Sequence, residues 1–255
     1  MPDQTGIKKP WPLPIPKWYW QWQLWKLGLG AYKGHRNDPK MRPPAPARIP
    51  AWAWLRIKFT QTGKVPKPKG VVMPRPKPVM ITKGQALIIV AASQDGIKES
   101  PPNSNRVKYS AWYGYVGPWC AMFYSWLSHA LGLSFHYMSV PAAVLDARRK
   151  RNDLTAIERN KWKKVKAGYG VTYNWNPGDG IADHIGSFVK WEHPGSSFWA
   201  WEGNTSAGND SNGGEVQYRL RYLTNVECFI KQAGIDDKID QATVLKIIAA
   251  LKGSK

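Results

Sequence analysis

Apolar positions follow two different spacings along this chain, and the change comes near its middle. Gln85 to Ser93 is a short, almost wholly apolar run that predicts a helix. Trp119 to Leu131 is a longer one and predicts the central helix of the domain. Arg148 to Lys166 is a basic stretch with helical patches. Beyond it the period falls to two, predicting strands over Gly170 to Trp175, His184 to Trp191, Phe198 to Asn204, Val216 to Tyr222 and Val226 to Lys231. Ile239, Leu245, Ile248 and Leu251 then return to near-helical spacing over 239–251. Helices first and antiparallel strands afterwards predict an α+β class, with the N-terminal helices packed on the sheet.

The first third of the chain reads differently. Ile15-Pro16-Lys17-Trp18-Tyr19-Trp20 is echoed by Ile49-Pro50-Ala51-Trp52-Ala53-Trp54. Each Ile-Pro suits a helix start, and Trp18, Trp22, Trp25 and Leu29 form a one-faced stripe after the first. Two short helices are expected here, joined by a Pro-rich connection. Prolines at alternate positions with lysines then run from Lys64 to Gly70 and from Met73 to Pro78, enforcing extended chain. The expected organisation is a basic Trp-rich helical region at 1–62, a Pro/Lys linker at 63–80, a folded domain at 81–235 and a C-terminal helix at 236–255.

Charge sharpens that division. Residues 1–84 hold 12 Lys and 5 Arg against Asp3 and Asp38, a net +15 of the chain's +20. Such a region seeks polyanions: nucleic acid, anionic lipid, or the polymers of a bacterial wall. Only Cys120 and Cys228 occur, so a disulfide framework is not expected; Cys228 alternates like a strand residue and reads as a small buried hydrophobe. No run reaches the roughly 18 apolar residues a membrane span needs. The prolines and lysines between Lys8 and Tyr32 break any signal-peptide core, so no export signal is expected.

Candidate chemistry gathers at separated points. Cys120 follows Gly117-Pro118-Trp119 and opens the central helix, where free N–H groups and the helix dipole stabilise a thiolate. His184 lies in a strand, and Glu202 and Asn204 lie in the next, joined by a turn at Glu192-His193-Pro194-Gly195. A hairpin folded about His193 sets residue 184 opposite 202; one folded about Pro194 sets it opposite 204. Either brings an oriented acceptor within about 5.5 Å of the histidine at Cβ. A thiol, an imidazole and an orienting Glu or Asn are the parts of a thiol hydrolase. His129 lies about 13 Å along the helix from Cys120 and cannot serve as base; His136 and His193 read as surface and turn residues. Asp183 points to the opposite face from His184, and Gly178 to Asp183 reads as a turn rather than a calcium loop. Trp119, Trp199 and Trp201 are candidate substrate-binding residues, with core packing as the plain alternative. The Asn-, Ser- and Gly-rich stretch from Asn204 to Gly214 reads as a loop over the cleft or as a simple turn.

In this order and local wording, Gly-Pro-Trp-Cys, Ala-Asp-His and Trp-Glu-Gly-Asn over residues 85–232 resemble the CHAP family, the cysteine, histidine-dependent amidohydrolases/peptidases that cleave peptidoglycan. Endolysins of phages that infect actinobacteria are the nearest likeness. The resemblance implies a papain-like fold, catalysis by Cys120 and His184, and orientation of the histidine by the residue matching Glu202, with the one matching Asn204 as auxiliary. Two departures stand out: Trp119 replaces the Gln that often precedes the nucleophile, and the Asp-rich calcium loop of some members is missing, so no metal or other cofactor is expected.

The expected function is peptidoglycan hydrolysis at an amide, either the muramoyl–L-alanine bond or one in the stem or cross-bridge peptide. The expected partners are peptidoglycan and anionic wall polymers, with no nucleic acid, and the chain is expected to act as a monomer. For the Trp-rich region wall targeting is preferred, docking against other aromatic residues comes second, and membrane-surface contact through residues 11–32 third. The resemblance further implies synthesis in the host cytoplasm and release to the wall through holes made by a separate membrane protein. The rivals are a virion-borne wall hydrolase used at entry and a non-catalytic nucleic-acid-binding protein; the latter leaves Cys120, His184, Glu202 and Asn204 unexplained.

Overall fold

A computed structural model describes residues 78–253, apart from 177, 178 and 211. The expected helical region at 1–62 and most of the linker lie outside the described residues. In chain order come β1 (Met80–Thr82), α1 (Lys83–Ala92), α2 (Lys108–Tyr113), α3 (Cys120–Ala130), α4 (Val140–Arg148) and β2 (Leu154–Glu158). They are followed by β3 (Gly170–Tyr173), β4 (His184–His193), β5 (Ser197–Thr205), β6 (Glu215–Tyr222), β7 (Val226–Gln232), β8 (Lys238–Asp240) and α5 (Gln241–Gly253). The class is α+β, as the change of period predicts.

Six strands form one antiparallel sheet in the order β2-β7-β3-β4-β5-β6. On its centre lies α3, whose residues Cys120 to Ser128 are all buried. A helix apolar on every side belongs inside a domain, which explains why no one-sided stripe marks this segment. Gly170 lets the helix close on β3: an added Cβ would stand 3.4 Å from the Tyr124 ring and 3.3 Å from Ile185. The Tyr124 hydroxyl donates to the Gly168 carbonyl at 2.8 Å, and the Gln232 amide reaches Ser128 Oγ at 3.0 Å. These hydroxyl and amide groups, buried between helix and sheet, are thereby satisfied.

The two ends of the described region clasp each other. Met80 pairs with Asp240 and Thr82 with Lys238 in a two-stranded ladder. Thr82 then caps α1: its hydroxyl accepts from the Gln85 N–H at 3.0 Å, while the Gln85 side chain accepts from the Thr82 N–H at 2.9 Å. Behind the clasp α5 packs against α1 with Val244 and Ile248 buried. The segment expected as a separate C-terminal helix is thus strand and helix, and both complete the domain.

Between Arg148 and Lys166 the helical patches are the end of α4 and a 3-10 turn at Arg159–Lys164, and strand β2, which the sequence did not signal, lies between them. Of β2's five residues only Leu154 and Ile157 are buried. An edge strand held by backbone pairing to β7 carries little hydrophobic signal, and basic neighbours mask it further.

Candidate functional site

Three elements deliver the site. Gly117 and Pro118 interrupt the chain before α3, and Trp119 occupies the capping position, its carbonyl accepting from the Phe123 N–H at 2.8 Å. Cys120 is therefore the first residue of the helix proper. Gly203, between Glu202 and Asn204 on β5, fixes how closely that helix end can approach: an added Cβ would come within 2.7 Å of both Phe123 Cβ and Trp119 Cζ3. The Glu-Gly-Asn wording thus has a packing cause as well as a chemical one.

The β4–β5 hairpin pairs Gly186 with Glu202, Ser187 with Trp201 and Phe188 with Ala200. That is the register folded about Pro194. Continued to the end of β4, it sets His184 across from residue 204, with Glu202 its diagonal neighbour on the same face. The ladder departs from regular pairing between Glu202 and Thr205, where Asn204 takes φ 59°. The Asn204 amide donates to Asn212 Oδ1 at 3.1 Å, and its carbonyl accepts from the Gly213 N–H at 2.9 Å. Glu202 is the residue that meets the imidazole, with Oε2 3.2 Å from His184 Nε2. The approach is an ion-pair contact, without the alignment of a hydrogen bond. Nδ1, on the other side of the ring, is likewise buried without an aligned hydrogen bond.

Electrostatics bind the three groups together. Burial alone favours a neutral imidazole, but the negative charges of Cys120 and then Glu202 beside it raise His184 from 6.5 to about 9. Burial likewise opposes the Glu202 carboxylate, yet the Arg221 hydrogen bonds and then His184 hold it down at about 2. Tyr173 donates to Glu202 Oε1 at 2.8 Å. Burial and the Glu202 charge push the Tyr173 phenol well above its ordinary range, so it remains a donor. Tyr173 and Trp175 stack at 4.9 Å between ring centres and flank the imidazole at 5.8 and 6.4 Å. Cys120 is 3% exposed, while His184, Glu202 and Asn204 are wholly buried. The sulfur–imidazole pair therefore lies just beneath the surface.

The proposed substrate residues separate. Trp119 is fully buried, stacked on Tyr109 at 5.4 Å, and donates its indole N–H to Glu99 Oε1 at 2.8 Å. It anchors the nucleophile's helix and does not line a groove, which corrects the sequence reading: the position before Cys120 points into the core. Trp199 is half-buried and stacks on Tyr218 at 4.7 Å, and Trp201 packs on the same ring at 5.0 Å with 9% exposure. His129 and His136 sit on the surface beside Trp112. Asp183 accepts from the Trp175 N–H at 2.7 Å, which occupies it in shaping the turn before β4. Both cysteines are free thiols; burial pushes Cys228 up to about 11, consistent with a core residue. Among the described residues no group of three or more His, Cys, Asp or Glu side chains is placed to hold a metal ion.

Sequence reasoning missed Tyr173 and Arg221. Tyr173 stands directly opposite His184 in the β3–β4 ladder, a pairing that register alone would have found. Arg221 gave the opposite signal. In β6 the alternation of Tyr218, Leu220 and Tyr222 with Arg219 and Arg221 reads as apolar-in and basic-out, but the structure exposes the three apolar residues and buries Arg221. No family model matches the chain, nor does any curated protein or solved structure.

Proposed function

We propose that this chain is a cysteine hydrolase with a papain-like CHAP fold that cleaves an amide bond of bacterial peptidoglycan, in the manner of a phage endolysin. One observation carries the reading: Cys120 at a helix start, His184 opening a strand and Glu202 on its neighbour converge from far apart in sequence, with the imidazole held between sulfur and carboxylate. Arrangements of this kind serve nucleophilic acyl transfer. The peptidoglycan assignment rests on the wording of the three motifs.

In the proposed reaction the Cys120 sulfur, its proton held by His184, attacks the scissile carbonyl. The tetrahedral intermediate collapses as His184 gives that proton to the departing amine, because an amide nitrogen leaves poorly as an anion. Water, deprotonated by the now neutral imidazole, then attacks the thioester, releasing the carboxylic acid and returning the proton to the Cys120–His184 pair. Glu202 keeps the ring oriented and its cationic form stable through both halves. The Cys120 backbone N–H, free at the helix start, supplies part of the oxyanion site. With Cys120 only 3% exposed, the surface above the sulfur must yield on binding for the carbonyl to reach it. Trp199, Trp201, Tyr218, Leu220 and Tyr222 share the face of β5 and β6 that turns away from Glu202 and Arg221, so they would offer wall sugars or peptide an aromatic patch rather than line the imidazole's pocket.

Mass spectrometry of digested sacculi tests the reading. New amino termini on L-alanine identify an amidase, and new termini inside the peptide an endopeptidase. Sacculi left with no new amine terminus would refute both.

A further inference from the structure

Arg221 is 5% exposed and carries a guanidinium into the middle of the site, so its burial needs a reason. It lies on β6 opposite Phe198 and reaches across β5 to Glu202. Its Nε donates to Glu202 Oε1 at 2.8 Å and its Nη2 to Glu202 Oε2 at 2.5 Å, a two-point fork on the carboxylate. Two further donors are also engaged: Nη2 reaches Thr205 Oγ1 at 3.2 Å and Nη1 reaches Asp210 Oδ1 at 2.7 Å. Its flat face lies over Trp175 and Tyr173, 5.1 and 5.6 Å from the ring centres. A guanidinium fixed on so many sides cannot swing, and neither can the carboxylate it grips.

We infer that Arg221 is a positioning residue of the proposed hydrolase: its fork keeps Glu202 ionised and aimed at His184, with Asp210 as its second anchor. The inference rests on the reading of Cys120 and His184 as the reacting pair. The groups facing Glu202 are Tyr173 from β3, His184 from β4 and Arg221 from β6; Cys120 from α3 acts on it through His184, and Asp210 through Arg221. Tyr173 contributes one neutral hydrogen bond, and His184 must change charge during turnover. Arg221 is the permanent cation in contact with the carboxylate. Without it, burial would favour a protonated Glu202, which neither steadies an imidazolium nor holds the ring in one orientation.

The test pairs NMR titration of the Glu202 carboxyl carbon with kinetics on a soluble muropeptide, both on the full chain. Arg221→Gln is expected to move the Glu202 inflection up by at least about one unit, a tenfold change in its ionisation constant. It is expected to lower kcat by about 10- to 100-fold with KM nearly unchanged, because misorientation of a reacting group costs rate rather than binding. Arg221→Lys, which keeps the charge but not the fork, should fall between variant and wild type in both readouts. Arg149→Gln, which removes an exposed cation at the end of α4, should leave both within about twofold.

An unmoved Glu202 inflection in folded Arg221→Gln overturns the inference. So does an equal loss of kcat in Arg149→Gln. If Arg221→Gln does not fold, Arg221→Lys decides alone, and wild-type values in both readouts overturn the inference. A wild type that cleaves no wall peptide, but whose Glu202 titration still shifts on Arg221→Gln, removes the substrate assignment and leaves Arg221 holding the carboxylate. An active enzyme with an unmoved titration does the reverse.

Discussion

His184 is buried between charged neighbours, and its titration is the sharpest residue-scale consequence of the structure. Because the charges of Cys120 and Glu202 together outweigh burial in raising it to about 9, Cys120→Ser should lower the imidazole inflection seen by NMR. The alkaline limb of kcat/KM should lie near 9, where the proton for the departing amine is lost. His184→Ala should cost about 10²- to 10⁴-fold in kcat. Glu202→Gln removes the carboxylate charge gripped by Arg221 and should lower stability by about 3–5 kcal/mol, measured by denaturant unfolding. At this scale the sequence was legible where a motif named the residue and illegible where burial inverted the usual sign. Cys120, His184 and Glu202 come together as their order and spacing suggested. Arg221 hid because a basic residue alternating with Tyr and Leu looks like a solvated face.

At the scale of elements, the proposed site depends on how closely the start of α3 meets β5. Gly203 sets that distance. Gly203→Ala should force Trp119 and Phe123 back, lowering stability by about 1–3 kcal/mol. The same displacement should reduce turnover far more than a surface substitution such as Lys238→Ala does, as side-by-side kinetics would reveal. The sequence made α1, α3 and β3 to β7 legible, because long apolar runs and clean alternation survive without context. It narrowed the β4–β5 register to two choices, of which the structure takes the one about Pro194, with the imidazole beside Glu202. It hid β2, α2 and α4. Leu154–Glu158 draws its stability from the ladder with β7, and α4 from the Ser139 cap and the apolar contacts of Val140, Ala143 and Val144. Neither source is visible to a local pattern.

For the whole molecule, the buried site links stability to pH on both sides. His184, raised from 6.5 to about 9, stabilises the fold fully below 6.5, and that contribution is lost as pH climbs through about 9. Glu202, lowered from 4.5 to about 2, stabilises it above 4.5, and that contribution is lost as pH falls toward about 2. Unfolding midpoints should therefore be highest between 4.5 and 6.5 as far as this pair is concerned. In Cys120→Ser the alkaline decline should shrink. The +15 net charge of residues 1–84 belongs almost wholly outside the described fold. Removing residues 1–77 is expected to weaken salt-sensitive retention on sacculi while sparing cleavage of soluble muropeptides, which co-sedimentation and product assays would separate. The central claim is that the Cys120 sulfur cuts the wall, and clearing of a sacculus suspension by wild type and by Cys120→Ala tests it most directly. The expected result is clearing by the wild type and none by the folded variant; equal clearing by the two would contradict it.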